Sequence, residues 1–140
     1  MFDQPIRNIM EHKKFLVASP HTTVAAAASL MAERNVGAIM VVENENLIGI
    51  FSERDAVFRV IAKGRDAKTT ALADVMTAAP KTLEPGKSYG HALVLMQENG
   101  FRHVPVVENG RPIGIISSRN AMDPDLEEFV FEARRREHFR

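Results

Sequence analysis

The stretch Ile48-Gly49-Ile50-Phe51-Ser52-Glu53-Arg54-Asp55 returns 65 residues later, without a gap, as Ile113-Gly114-Ile115-Ile116-Ser117-Ser118-Arg119-Asn120. Between residues 20–56 and 85–121, 15 of 37 positions are identical. Unrelated segments would share roughly two or three, so the chain carries a repeated structural unit. The matches include Pro20/Pro85, Leu30/Leu95, Met31/Met96, Glu33/Glu98, the run Val41-Val42-Glu43-Asn44, Gly49/Gly114, Ser52/Ser117 and Arg54/Arg119. Each unit is too small and too apolar on its sheet faces to be stable alone. The two are expected to pack sheet against sheet about a pseudo-two-fold axis, leaving two related clefts.

Hydrophobic spacing supplies the elements of each unit. In the first, Phe15-Leu16-Val17 reads as a brief strand. Thr22 or Thr23 caps a helix whose positions Val24, Ala27, Ala28 and Met31 share one buried face, and Asn35 and Gly37 end it. Residues 36–42 and 47–51 read as strands joined by a hairpin turn at Glu43-Asn44-Glu45-Asn46. Ser52 opens a second helix with Val57, Val60 and Ile61 on its apolar side, and residues 63–70 form a polar linker. In the second unit Thr82-Leu83 repeats the short strand, and Tyr89, Ala92, Leu93 and Met96 repeat the helix face. Residues 124–140 read as a last helix, acidic at its start, with Arg134-Arg135-Arg136 near its solvated end and Leu126, Phe129, Val130 and Ala133 as its apolar stripe. The expected organisation is α+β: a first repeat over residues 5–66, a second over 72–126 and a helical extension over 127–140.

Composition narrows the function. With 18 basic and 18 acidic residues the formal charge is +0, which lacks the broad positive field of a general nucleic-acid binder. Absent cysteine removes disulfides and thiolate chemistry, and the five histidines have no short ligand spacing, so no metal site is expected. No basic segment followed by an apolar core opens the chain, and no apolar run reaches the roughly 20 residues of a membrane span. The expectation is a soluble cytoplasmic protein, without nucleic-acid or membrane partners. No nucleophile elbow, Walker loop or dinucleotide fingerprint occurs, which points away from an enzyme.

The end of the strand before Ser52 delivers the chain to a helix start, where free N–H groups suit a phosphate. The Ser52 hydroxyl and the Asp55 carboxylate share that helix start, and a helix cap alone also explains the pair, with Ser52 as the cap and Asp55 favoured near the N-terminus. Two strand-helix-strand-strand-helix units, one ending Gly-Ile-Phe-Ser-Glu-Arg-Asp and the other carrying His-Val-Pro-Val-Val and Pro-Ile-Gly-Ile-Ile-Ser, resemble a tandem pair of cystathionine-beta-synthase (CBS) domains, a Bateman module. The resemblance covers roughly residues 5–126. It implies a regulatory module that binds an adenosine-containing ligand in its clefts, AMP first, with ADP, ATP or NAD as alternatives, forms a homodimer and signals metabolite state to a regulated protein. The alternative is a structural or interaction module whose clefts are vestigial.

The same resemblance assigns the site. Ser52, Arg54 and Asp55 stand at the ribose-binding junction of one cleft, Arg102 and His103 reach its phosphate, and Thr82, Leu83, Val104 and Pro105 form its apolar walls. The other cleft takes Phe15, Leu16 and Val17 with Ser117, Arg119 and Asn120. Two departures fall on this second cleft: Asn120 replaces the acidic residue, and Gly37-Ala38 stand where the other repeat has Arg102-His103. It is expected to be the weaker one or to take a different ligand.

Overall fold

The spacing of 65 residues survives in the hydrogen-bond register. The computed structural model describes residues 2–10, 15–118 and 132–136. A 3-10 turn at Ile6–Asn8 is followed by β1 (Val17–Ala18), α1 (Val24–Arg34), β2 (Ala38–Glu43) and β3 (Asn46–Ser52). Then come α2 (Glu53–Asp55), continued as a π-helical turn over Ala56–Ile61, α3 (Leu72–Val75), β4 (Thr77–Ala78), α4 (Tyr89–Asn99), β5 (His103–Glu108) and β6 (Arg111–Ser117). Ala38 faces Ser52 across the β2–β3 ladder as His103 faces Ser117 across β5–β6, and the register shifts at Val41/Val42 and at Val106/Val107. Asn44 and Glu45, like Asn109 and Gly110, all have positive φ, the two-residue turn whose twist matches that of hairpin strands.

The strands are apolar on both faces because both faces are covered. From the first hairpin Ile39, Val41 and Phe51 point to α1, while Ala38, Met40 and Ile50 point the other way and meet Ile115 of the second hairpin. Val104, Val106 and Ile116 face α4 with Tyr89, Ala92 and Met96. Two hairpins back to back, each with its helix outside, make the α+β pair with pseudo-two-fold symmetry. The hairpin tips also meet, through a Leu47 N–H to Gly110 C=O bond of 3.0 Å and an Arg111–Glu45 ion pair of 3.0 Å.

Each helix start is completed by the segment that leads into the other repeat. Thr23 accepts from the Ala26 N–H, and the Val24 and Ala25 N–H groups donate to the carbonyls of Thr70 and Ala67. At α4, Ser88 accepts from the His91 N–H, and the Tyr89 and Gly90 N–H groups donate to Gln4 and Phe2. Donors that a helix leaves unmatched are thereby satisfied. The apolar residues follow the same exchange: Leu72 and Val75 complete the core of the first repeat, and Ile6 completes that of the second. The polar segment 63–70, expected as a linker, is therefore a cap for α1, with Thr70 buried.

Several expectations are corrected. The first strand pairs at Val17–Ala18 rather than over residues 15–17, joining β2 in parallel to give the sheet order β1-β2-β3-β4. Its counterpart at Thr82-Leu83 is only a bridge from Leu83 to Val106. The cause is Pro105, which stands where Met40 donates its N–H to Leu16 and has no N–H to give. Strand β4, pairing with Gly49 and Ile50 in the middle of β3, was not foreseen. Ala28 is exposed rather than on the buried face of α1. After Asp55 the N–H groups of Ala62 and Arg65 bond five residues back, to Val57 and Val60, and this wider turn keeps Val60 in the core while leaving Val57 50% and Ile61 71% exposed. Residues 132–136 are helical, whereas Leu126, Phe129 and Val130 lie outside the described residues.

Removing either arm contact should cost as much as a hole in a core. Leu72→Ala and Ile6→Ala are each expected to lower stability by about 2–5 kcal/mol. Equilibrium urea unfolding checks this, and because the arms are exchanged each variant is expected to unfold in one cooperative transition.

Candidate functional site

Strand β3 ends on Ser52, whose side chain caps the helical turn over residues 53–55. Ser52 Oγ accepts from the Asp55 N–H at 3.4 Å, and Asp55 Oδ2 accepts from the Ser52 N–H at 2.9 Å and from its hydroxyl at 3.2 Å. This reciprocal cap satisfies donors at both ends of the turn. The other carboxylate oxygen, Oδ1, pairs with Arg59 Nε at 3.4 Å, and Arg59 also donates to the carbonyls of Met76 at 3.0 Å and Val75 at 3.4 Å. Asp55 is thus buried and oriented inward, tied through Arg59 to the segment that crosses between the repeats. Arg54 lies on the outer side, its guanidinium 5.0 Å from the Phe58 ring.

A cavity of about 750 Å³ opens where the ends of the two hairpins converge. Of the residues singled out in the sequence, Phe15, Gly37, Ala38, Arg102, His103 and Ser117 line it. It therefore unites residues assigned to different clefts: the Arg102-His103 pair of one with the Gly37-Ala38, Phe15 and Ser117 set of the other. Ser52, Arg54, Asp55, Thr82, Leu83, Val104, Pro105, Leu16 and Val17 are not among its lining residues. Arg119 and Asn120 lie outside the described residues. Arg34, Asn35, Glu53 and Ser118 complete the polar lining, with Met31 and Val36 on the apolar side. Glu53 was readable as the neighbour of Ser52, but the Ser-x-x-Asp spacing drew attention past it. Arg34, in the last turn of α1, carried no motif.

Gly37 is the hinge of this geometry. A Cβ added there would stand 3.1 Å from Glu53 Oε1 and 3.2 Å from His103 Nε2 and Cε1. The carboxylate and imidazole thus reach the same point from opposite repeats. Burial pushes the His103 imidazole below the usual histidine range; Glu53 pulls it upward and Arg102 pushes it further down. The ring is accordingly neutral at pH 7, able to accept or donate a hydrogen bond, and an anion beside it would raise its proton affinity. Among the described residues no three His, Asp or Glu side chains gather where they could hold a metal ion, and no helix is long and apolar enough to cross a membrane.

The CBS domain model matches residues 6–62 and again residues 72–124. The chain belongs to the CBS-domain family. Among its relatives is the mitochondrial CBS domain-containing protein CBSX3 of Arabidopsis thaliana, 39% identical over 100 residues, which cover 68% of this chain and 48% of that protein. This CBS pair thus spans about half the length of that relative. An uncharacterized conserved protein from Pyrococcus horikoshii is 29% identical with a TM-score of 0.80, covering 86% of this chain and 91% of that one. The CBS domain pair of protein MJ0100, solved with 5′-methylthioadenosine and S-adenosyl-L-methionine, shares the fold at 20% identity and a TM-score of 0.76, covering 84% of this chain and 96% of that one.

The depressed His103 gives a sign to the pH dependence of folding. Above pH 6.5 the ring is neutral folded or unfolded; below it the unfolded chain takes up the proton first, so stability falls as pH drops from 6.5 through the folded-state value. Urea midpoints measured at pH 7.5 and 5.5 are expected to differ less in His103→Gln than in the unmodified protein.

Proposed function

We propose that this CBS pair binds an adenosine-containing ligand between its repeats and passes its occupancy to a partner protein. The observation that carries the reading is the cavity of about 750 Å³, within the range of small-molecule sites, with Arg34, Arg102 and His103 on its polar side and Phe15, Met31 and Val36 on its apolar side. A phosphate fits the first group and a purine the second. MJ0100, with the same fold, was solved with two adenosine compounds, which supports this ligand class. AMP is the first candidate, with NAD and ATP as larger ones. Ser52 and Asp55 keep the ribose role that the family resemblance gives them although neither lines this cavity, so a diol reaches Asp55 Oδ1 only by displacing Arg59. The protein acts by binding, not by catalysis.

Calorimetry with AMP tests the reading. Micromolar affinity, about −8 kcal/mol, is expected. Arg102→Ala and Asp55→Ala should each weaken it tenfold or more, since hydrogen bonds to charged groups contribute about 1.5–3 kcal/mol. No heat with AMP, NAD or ATP, together with no adenosine compound released from the purified protein in mass spectrometry, overturns it and favours vestigial clefts.

We infer a homodimer as the signalling form. Val57, Phe58 and Ile61 of the π-helical turn are exposed by 50%, 56% and 71%, apolar surface of the kind that a partner covers. This turn begins at the Ser52–Asp55 cap, so a ligand acting on Asp55 acts on the base of that surface. Light scattering should give twice the chain mass, and Phe58→Glu should return it to the monomer value.

A further inference from the structure

Resting on the ligand reading above, we propose that Glu53 sets the charge of the ligand, admitting a nucleoside monophosphate and opposing polyphosphates. Glu53 Oε1 and the His103 ring each lie close to the point where Gly37 lacks a Cβ, at 3.1 and 3.2 Å. The carboxylate is therefore no further from the imidazole than the sum of those distances. It stands at the cationic end of the cavity, where a phosphate would seek Arg102 and His103. The charged and titratable groups among the described lining residues are Arg34 from the end of α1, Glu53 from α2, and Arg102 and His103 at the start of β5. Two guanidiniums against one carboxylate leave a single net positive charge while the imidazole is neutral.

A monophosphate ester carries about −1.5 to −2 charges near neutrality. The net positive charge answers one of these, and a proton taken up by His103 answers the second. A diphosphate or triphosphate brings further negative charge that no described lining residue balances and that Glu53 repels. At an effective dielectric between that of a protein surface and water, and a separation of about 6–8 Å, each added charge costs about three- to tenfold in affinity. A carboxylate in the first turn also suits the helix dipole. The repeat counterpart of Glu53, the uncharged Ser118, lines the same cavity, so the negative charge enters from one repeat alone.

The test is calorimetry on the full chain, without magnesium, using adenosine, AMP, ADP and ATP against the unmodified protein, Glu53→Gln and Glu53→Asp. The unmodified protein is expected to bind AMP best and ATP at least tenfold more weakly. Glu53→Gln should raise ATP affinity tenfold or more while changing adenosine less than twofold, and Glu53→Asp, which keeps the charge, should keep the discrimination. Without ligand, NMR titration should show the His103 imidazole of Glu53→Gln losing its proton at a lower pH than in the unmodified protein. An unmodified protein that prefers ATP, or a Glu53→Gln variant that shifts all four ligands alike or none, overturns the inference and leaves the ligand class standing. If the unmodified protein binds none of the four, the ligand reading fails and this inference with it. Thermal melting of both variants separates loss of fold from loss of selection.

Discussion

Neither repeat can close its own core. The first turns of α1 and α4 hold N–H groups without intrahelical acceptors, and each set finds its carbonyls on the segment leading into the other repeat. Leu72 and Val75 fill one core and Ile6 the other in the same crossed sense. A buried donor without a partner costs about 1–3 kcal/mol, and a missing large side chain costs more, so the exchange joins the repeats more firmly than the contact of Ile115 with Ala38, Met40 and Ile50 alone. The cavity exists because this arrangement brings the ends of both hairpins to one place. Geometry at the site follows from how the chain crosses over, not from either repeat taken singly.

Much of the architecture was visible in the residues because it is local or repeated. The hairpin turns follow from Asn44 and Asn109, which tolerate positive φ, and the caps follow from Thr23, Ser52 and Ser88. The doubled apolar faces of β2 and β3 announce burial on both sides. What escaped depends on partners distant in sequence. Residues 67–70 look like a solvated linker until the α1 donors they satisfy are seen. Likewise Thr77 and Ala78 have no strand pattern of their own, and borrow their conformation from the exposed edge of β3. The wide turn after Asp55 defeats a helical wheel, since Val57 and Ile61 share a face with Val60 only at α-helical spacing.

The site was legible in part for the same reason. Arg102, His103, Gly37 and Ala38 stood out because the repeats disagree there, and the cavity gathers all four. The division of residues between two clefts was an inference about the symmetry axis, which the sequence does not draw, and the cavity crosses that division. Ser52 and Asp55 were conspicuous as a motif, yet their hydrogen bonds run mainly to each other and to Arg59. Glu53 and Arg34 had no pattern to announce them. Their importance lies in where the backbone directs them.

Gly37 and its repeat counterpart Arg102 bear on how such a chain diverges after duplication. In two identical halves, the same residue would stand at both positions beside a symmetry axis where space is short. The missing Cβ at residue 37 leaves room for the imidazole of the opposite repeat and for the carboxylate beside it. A side chain gained in one copy is thereby accommodated by one lost in the other. Covalent tandem fusion permits this division of labour, which a symmetric pairing of identical single repeats cannot encode, and a cavity with two equivalent halves becomes one with a cationic and a steric half.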